Sequence, residues 1–304
     1  MKYYIGIDLG GTHVRTILVD QNGIEYSFIK EPTFAEEGVE CVMERIKSQL
    51  RKVDCSICGG LSGVSGIGIG VPGPVDVKKG CMKMAQNLPG FEAYPICDVL
   101  SKEFGLPVYI NNDANVAGLA EAILGAGKDY DSVYYVTCST GVGGGFIVNR
   151  KVLTGGLGYA GEIGNIIIVP GGYKSGIRNP GSAESEASGN ALTRQGKAIL
   201  GDVVEHAGDV FRLAKDGNEE CIRLRANFID GFSTMLADIA HTVDPGCFVL
   251  GGGVIDSAEH FWSDLVRSFN DKLYPGMRDQ IPMFKSKVHH CGAVGAAMLP
   301  MTME

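Results

Sequence analysis

The chain has 304 residues, 45% hydrophobic and 20% charged, which fits a folded globular protein long enough for two domains of common size. A net charge of −8, with no basic run, argues against nucleic acid as a partner, and no apolar stretch approaches the ~18 residues of a membrane span. Nine scattered cysteines, an odd number, form no disulfide framework, and no signal-peptide core precedes the first strand, so the expected compartment is the cytoplasm.

In chain order, Tyr3 to Leu9 reads as a strand with Ile5, Ile7 and Leu9 on one side, and Thr16–Val19 as a second. Gly10-Gly11-Thr12 turns between them, and Asn22-Gly23 makes a hairpin into Ile24–Ile29, giving three antiparallel strands. Val39, Val42, Met43, Ile46 and Leu50 then fall at helical spacing. Cys55-Ser56-Ile57-Cys58 fits C-x-x-C, but Gly59 and Gly60 stand where a redox helix would begin. Ser65–Val71 is a glycine-rich strand. It runs into Gly68-Ile69-Gly70-Val71-Pro72-Gly73, a formal G-x-G-x-x-G in which Pro72 and Pro74 oppose the helix a dinucleotide site requires. Val108–Asn111 is a short strand, and 113–127 reads as a helix carrying Val116, Leu119, Ala120 and Ile123 inward.

The pattern then starts over. Ser132–Thr137 is a strand, Ser139–Gly145 a glycine turn, and Gly145–Val148 a strand again. Ile166–Val169 reads as another strand, followed by a long polar loop over Pro170–Gly189. Phe228, Phe232, Met235, Leu236, Ile239 and Val243 mark a long helix stopped by Asp244-Pro245-Gly246. Cys247–Leu250 is a buried strand leading into Gly251-Gly252-Gly253. Phe261 to Phe269 is a helix, and a small-residue helix from about Gly292 closes the chain. Two halves that each open with strand, glycine turn and strand imply two related α/β domains around a cleft. The expected boundaries are 1–116 plus 291–304 for the smaller domain and 117–290 for the larger.

The 44 glycines, about twice average usage, have no Gly-X-Y period and cluster in the turns. Glycine lets backbone N–H groups approach phosphate oxygens closely. Gly10, Gly11 and Thr12 are the first such turn. Asp8, at the strand end beside it, is placed to hold Mg²⁺ through water, because Mg²⁺ gives up its hydration reluctantly. Thr140, Gly141, Gly143 and Gly144 repeat that chemistry. Gly251, Gly252 and Gly253 would let adenosine lie against backbone. Three turns at matching places favour a nucleotide over mere packing, although no G-x-x-x-x-G-K-[ST] is present.

At the chain's centre, Asn111-Asn112-Asp113-Ala114-Asn115 joins a strand to a helix. Asp113 could simply cap that helix, a role worth ~1 kcal/mol. Three asparagines and an aspartate exceed what capping needs. Planar amides and carboxylates suit vicinal sugar hydroxyls, and a kinase needs one carboxylate facing the reacting hydroxyl. Glu162 and Glu184, each flanked by small residues, suit the same polyol site.

These segments together resemble one family. DLGGTHVR (8–15), GVPGPVD (70–76), QNLPGF (86–91), NNDANVAGLAE (111–121), STGVGGG (139–145), GEIGN (161–165), ESEASGNAL (184–192) and LGGGV (250–254) resemble, in order, the ROK family of sugar kinases and repressors. The resemblance implies an actin-like ATPase fold with ribonuclease-H-like halves, and ATP-dependent phosphorylation of a hexose or N-acetylhexosamine at the 6-hydroxyl, glucose first. It implies Asp113 as catalytic base. Asn112, Glu162, Asn165 and Glu184 fall at sugar-contact positions, with Gly73 and Asn87 in loops lining the sugar, and a homodimer is expected. One departure is clear. The structural zinc of the family would need one His and three Cys, but Asn165, Ser175, Ile177 and Ser182 stand there, so zinc is not expected. The missing His leaves the identity of the sugar open. Two other classes remain. A sugar-sensing regulator without significant turnover is favoured by the altered zinc region and opposed by intact phosphate turns. An actin-like assembly ATPase would have no use for NNDAN or GEIGN.

Overall fold

Residues 1–303 are described by a computed structural model. The chain opens with the expected antiparallel strands β1 (Tyr3–Leu9), β2 (His13–Asp20) and β3 (Glu25–Pro32). Asp20 closes the second turn by accepting hydrogen bonds from the amides of Asn22 (2.8 Å) and Ile24 (2.9 Å), and Gly23 takes the positive φ (77°) the turn demands. Helix α1 (Val39–Lys52) buries Val42, Met43, Ile46 and Leu50, the stripe that the spacing predicts. Strand β4 (Val64–Val71), the small hairpin β5 (Val75–Asp76) and β6 (Cys81–Met82), helix α2 (Ile96–Phe104), strand β7 (Val108–Asn112) and helix α3 (Asp113–Ile123) follow. The sequence pattern assigned nothing to α2, whose nine residues are too few for a helical period to stand out.

The second series runs β8 (Ser132–Cys138), β9 (Val142–Val148), β10 (Lys151–Val152), α4 (Ala183–Ala187), α5 (Gly189–Leu200), α6 (Ala207–Lys215) and α7 (Glu219–Val243). It ends with β11 (Cys247–Gly251), α8 (Trp262–Lys272), β12 (Met283–Lys285) and α9 (Cys291–Met303). The two five-stranded sheets have the orders β3-β2-β1-β4-β7 and β10-β9-β8-β11-β12. In both, a central strand runs parallel to its neighbour across the crossover, β1 to β4 and β8 to β11, and the last strand is parallel again. The duplication read from two glycine turns is therefore a duplication of topology.

Three local expectations are corrected. Ile166–Val169 is not a strand. Its amides at Ile168 and Val169 both donate to the single carbonyl of Gly181 (2.9 and 3.0 Å), and only an isolated bridge pairs Ile167 with Ser182. Pro170–Gly189 is not one loop, because α4 begins at Ala183 with Ser182 as its N-cap. The second glycine turn is shorter than read, since Val142 already belongs to β9.

By compactness the chain forms two units, residues 1–132, 145–160 and 287–303, and residues 133–144 and 161–286. The first is centred on Ile5, Ile7 and Leu9 of β1, Ile67 and Ile69 of β4, and the buried face of α1. In the second, Phe211, Phe228, Phe232 and Phe261 stack or meet edge to face with centroids 4.8–5.6 Å apart, geometry that adds to the burial of their area. No described helix is long and apolar enough to cross a membrane.

In the first unit one fully buried acid carries several backbone bonds. Glu121, on α3, accepts from the amides of Lys287 and Val288 (both 2.8 Å) through Oε1 and from Ala126 (2.9 Å) through Oε2. These bonds fix the segment that enters α9. Glu121→Ala is expected to lower the unfolding free energy by about 2 kcal/mol, since charge-assisted bonds are lost and water reaches the amides only in part. Urea unfolding checks it, with Glu121→Gln expected between the two because the amide keeps one acceptor.

Candidate active site

In the first unit, Asp8 is the next-to-last residue of β1, and after Leu9 the chain turns through Gly10, Gly11 and Thr12 into β2. The turn is held from outside: the Gly10 amide donates to His13 O (3.0 Å), Thr33 Oγ1 donates to Gly10 O (2.6 Å), and the Thr33 amide donates to Thr12 O (2.9 Å). Thr12 itself is exposed. A Cβ on Gly11 would stand 3.1 Å from Asn87 O, so this glycine lets the loop carrying exposed Asn87 close on the turn. Asp8 Oδ2 accepts from Arg15 Nη1 at 2.7 Å. Burial pushes the Asp8 carboxyl pKa up from the ordinary value, against the opposing pull of Arg15. A divalent cation would reverse that balance, and a hard carboxylate oxygen beside a glycine turn is a donor that suits Mg²⁺.

The central acid follows β7 in the same unit, two strands from β1 and at the same end of the parallel strands. Asn112, not Asp113, caps α3: its Oδ1 accepts from the amides of Ala114 (2.9 Å) and Asn115 (3.3 Å), and its Nδ2 donates to Gly73 O (3.2 Å). Gly73 has φ 82°. Asn111 Oδ1 accepts from the Asn112 amide and from Asn115 Nδ2, both at 2.9 Å. The amides therefore build the corner. Asp113, the first helical residue, is exposed and accepts the Ala114 amide through Oδ1 at 2.8 Å. Capping does not account for Asp113, and the helix N-terminus favours the negative charge placed there.

In the second unit, the turn after β8 is stitched to two other segments. Gly189 and Asn190, which open α5, donate their amides to Ser139 O (2.8 Å) and Thr140 O (3.2 Å), and Val254 donates to Cys138 O (3.0 Å). The structure thus brings the start of this turn, Cys138 and Ser139, beside Gly252 and Gly253. Some of these glycines have internal reasons. A Cβ on Gly252 (φ 92°) would meet Cys138 O at 2.5 Å, one on Gly251 would meet the Tyr135 hydroxyl at 2.6 Å, and one on Gly144 would meet Ile163 Cδ1 at 2.7 Å. Gly253 has none: its nearest neighbour would be Ser139 Oγ at 3.7 Å, ordinary contact. There the protein itself does not demand a glycine, which suits a ligand lying against exposed backbone.

Glu184 lies on α4 and reaches the same turn. Its Oε2 accepts from the Val142 amide at 3.1 Å, and a Cβ on Gly141 would fall 2.4 Å from that oxygen. Glu162 and Glu184 share a cation that the sequence reading missed. Arg178 Nε donates to Glu184 Oε1 (2.8 Å), and Arg178 Nη1 reaches Glu162 Oε2 at 3.5 Å. Burial works against its charge, but the bonds and charges of Glu184 and Glu162 outweigh it and raise the guanidinium pKa. Nothing in the sequence marks an arginine in a Gly/Ser/Asn loop as a partner of acids six and sixteen residues away. Asn165 Oδ1 accepts the Asn179 amide at 2.8 Å, so its side chain fastens the same loop.

The residues at the place of the family's zinc do not fit a zinc ion. Ser175 and Ile177 are exposed, Ser182 Oγ is buried in a bond with Ser185 Oγ (2.8 Å), and Asn165 is engaged as above. No thiolate or imidazole is among them. The loop closes instead through backbone: Gly181 donates to Tyr173 O (2.8 Å) and Gly172 to Val169 O (2.9 Å). Elemental analysis of protein purified from zinc-containing medium is expected to find no stoichiometric zinc, and one equivalent bound by these residues would contradict this.

Compared with known families, residues 4–302 match the ROK family. The chain is 29% identical to a glucokinase of Thermotoga maritima, over 97% of this chain and 96% of that one. It is 26% identical to a xylose repressor of Caldicellulosiruptor bescii, over 89% of this chain and 70% of the repressor. Among solved structures, a ROK hexokinase from Thermus thermophilus superposes with TM-score 0.86 at 33% identity, covering 97% of each chain. A ROK family glucokinase from Streptomyces griseus, solved with glucose and AMPPNP, gives TM-score 0.78 at 31% identity, covering 99% of each. The actin-like ATPase fold implied by the motifs is the fold of these structures.

Proposed function

The chain belongs to the ROK family, and on that premise we propose that it is an ATP-dependent kinase that phosphorylates a hexose or N-acetylhexosamine, glucose first, at the 6-hydroxyl. The observation that carries this reading is the corner at Asn112-Asp113: the Asn112 amide caps the helix and bonds Gly73, and the Asp113 carboxylate stands solvent-exposed at the first position of the helix. In this reading Asp113 accepts the proton of the sugar hydroxyl as that oxygen attacks the γ-phosphorus of ATP. The bond from that phosphorus to the β-γ bridging oxygen breaks, and ADP leaves with the electron pair. The Gly10-Gly11-Thr12 turn, through the Gly11 amide and the Thr12 hydroxyl, and the Thr140–Gly144 turn hold phosphate oxygens, and Gly251–Gly253 face adenosine. Asn112, Glu162, Asn165 and Glu184 pair with the sugar hydroxyls, and the Gly73 and Asn87 loops line the sugar. Asp8 is the residue that would hold Mg²⁺, which would supply neutralising charge at the phosphates. Most of the rate comes from positioning and electrostatics, because phosphoryl transfer asks little covalent work of the protein.

The test is ADP release with Mg-ATP across hexoses and N-acetylhexosamines. Turnover on one sugar supports the kinase. Silence across the panel, with sugars still raising the melting temperature, supports the second reading, a sugar-sensing regulator. The similarity to a xylose repressor favours that second reading.

A further inference from the structure

Three segments of the second unit meet at one guanidinium. Arg178, in the loop before α4, donates through Nε to Glu184 Oε1 at 2.8 Å and through Nη2 to Glu184 Oε2 at 3.4 Å, a forked contact with one carboxylate. Its Nη1 reaches Glu162 Oε2 at 3.5 Å, from the segment before the Ile163–Asn165 turn. Glu184 Oε2 is also the acceptor of the Val142 amide, so the same carboxylate is tied to the turn after β8. The geometry points to Arg178 as the positioning residue that sets both sugar-facing glutamates, holding Glu184 tightly and Glu162 loosely.

Charge and reach support this. Two carboxylates brought to one cation repel each other without it, and a guanidinium is the one side chain whose planar fork can serve both. The side chains of Arg178, Glu162 and Glu184 are 27%, 33% and 24% exposed, so they are ordered by one another yet open to a ligand. With three protein donors, Glu184 is fixed in orientation, and the remaining lone pairs of its oxygens point in set directions. Glu162 has one long bond, which a sugar hydroxyl can outcompete at small cost. Glycine keeps the assembly close: a Cβ on Gly164 would stand 3.4 Å from Glu184 Oε2, and one on Gly141 closer still. The loop has its own backbone closure, at Gly181–Tyr173 and Gly172–Val169, and a second tie at Asn165–Asn179. Removing the Arg178 side chain therefore unties the carboxylates without opening the loop.

This inference rests on the sugar-kinase reading, and the experiment separates the two. Steady-state kinetics of the wild type, Arg178→Gln and Arg178→Lys are measured on the sugar that the panel identifies, with sugar and ATP varied in turn. Arg178→Gln is expected to raise the sugar KM at least tenfold, with the ATP KM within twofold and the melting temperature nearly unchanged, because the Val142–Glu184 bond survives. Arg178→Lys, which keeps the charge but loses the fork, is expected between the two. A sugar KM within twofold of wild type in Arg178→Gln overturns the inference and leaves the kinase standing. So does a parallel rise in both KM values with a fall in melting temperature, the mark of a purely structural role. A wild type that turns over no sugar removes the kinase reading, and this inference with it.

Discussion

Asp113→Asn is expected to lower kcat for sugar phosphorylation by ~10²–10⁴ while leaving sugar affinity within a few-fold. The substitution is nearly isosteric and keeps an oxygen for the Ala114 amide, now received by Oδ1 at 2.8 Å. It does not touch the cap, which Asn112 supplies through two amides, nor the tie from Asn112 Nδ2 to Gly73 O. Helix α3 should therefore start where it does now, and the melting temperature should hold within a degree or two. What the amide cannot do is accept a proton, so the loss falls on kcat rather than on KM. Single-turnover phosphorylation with saturating sugar and ATP isolates that step. A variant with near-normal turnover would show that another group removes the proton. Asn112→Ala makes the informative contrast. It should cost stability through the lost cap, about 1 kcal/mol, and weaken sugar binding as well.

Much of the architecture was legible because its signals are local. The β-rich runs at Tyr3–Leu9 and Ser132–Cys138, the Asn22-Gly23 turn and the apolar stripe of α1 each lie within a few residues of one another. The failures share a cause as well. Ile166–Val169 has the composition of a strand, yet a strand needs a neighbour, and only Ser182 pairs with it. Gly251 and Gly252 read as ligand glycines, and the structure adds a packing reason for each, in Tyr135 and Cys138. Periodicity cannot tell a glycine that admits a ligand from one that admits the chain's own backbone. Arg178 was invisible for a similar reason, since its meaning depends on where Glu162 and Glu184 stand in space. The residues of the Asn111–Asn115 corner were legible as a group, but the division of work was not: which of Asn112 and Asp113 caps the helix is a matter of rotamer, not of composition.

Gly295→Ala is expected to destabilise the protein by about 4 kcal/mol, above the usual ~1–3 for over-packing because the obstacle is backbone. An alanine is ordinarily better than glycine inside a helix by about 1 kcal/mol, so helix propensity predicts the opposite sign. Sterics decide. A Cβ at Gly295 would stand 1.7 Å from Val116 O on α3, and no side-chain rotation relieves a clash with a carbonyl. The same helix touches the sheet at two other glycines: a Cβ on Gly6 would lie 1.9 Å from Ala293 O, and one on Gly68 1.8 Å from Ala296 O. Pro300 contributes, since it has no N–H for the Ala296 carbonyl four residues back, and its ring packs at Gly66. Helix α9 therefore cannot retreat from α3 without pressing into β1 and β4. The displacement would reach the proposed site too, because α3 begins at Asp113, and a Cβ on Gly292, in the first turn of α9, would stand 3.2 Å from the Asp8 carboxylate. Gly295→Ala should thus lose about 10 °C in melting temperature for a chain of this size and lose turnover even where it remains folded. Gly156→Ala is the control: a Cβ there would meet nothing within 4 Å, and its stability should stay within about 0.5 kcal/mol of wild type. Equal melting temperatures for the two variants would mean that α9 and α3 are not locked at this contact.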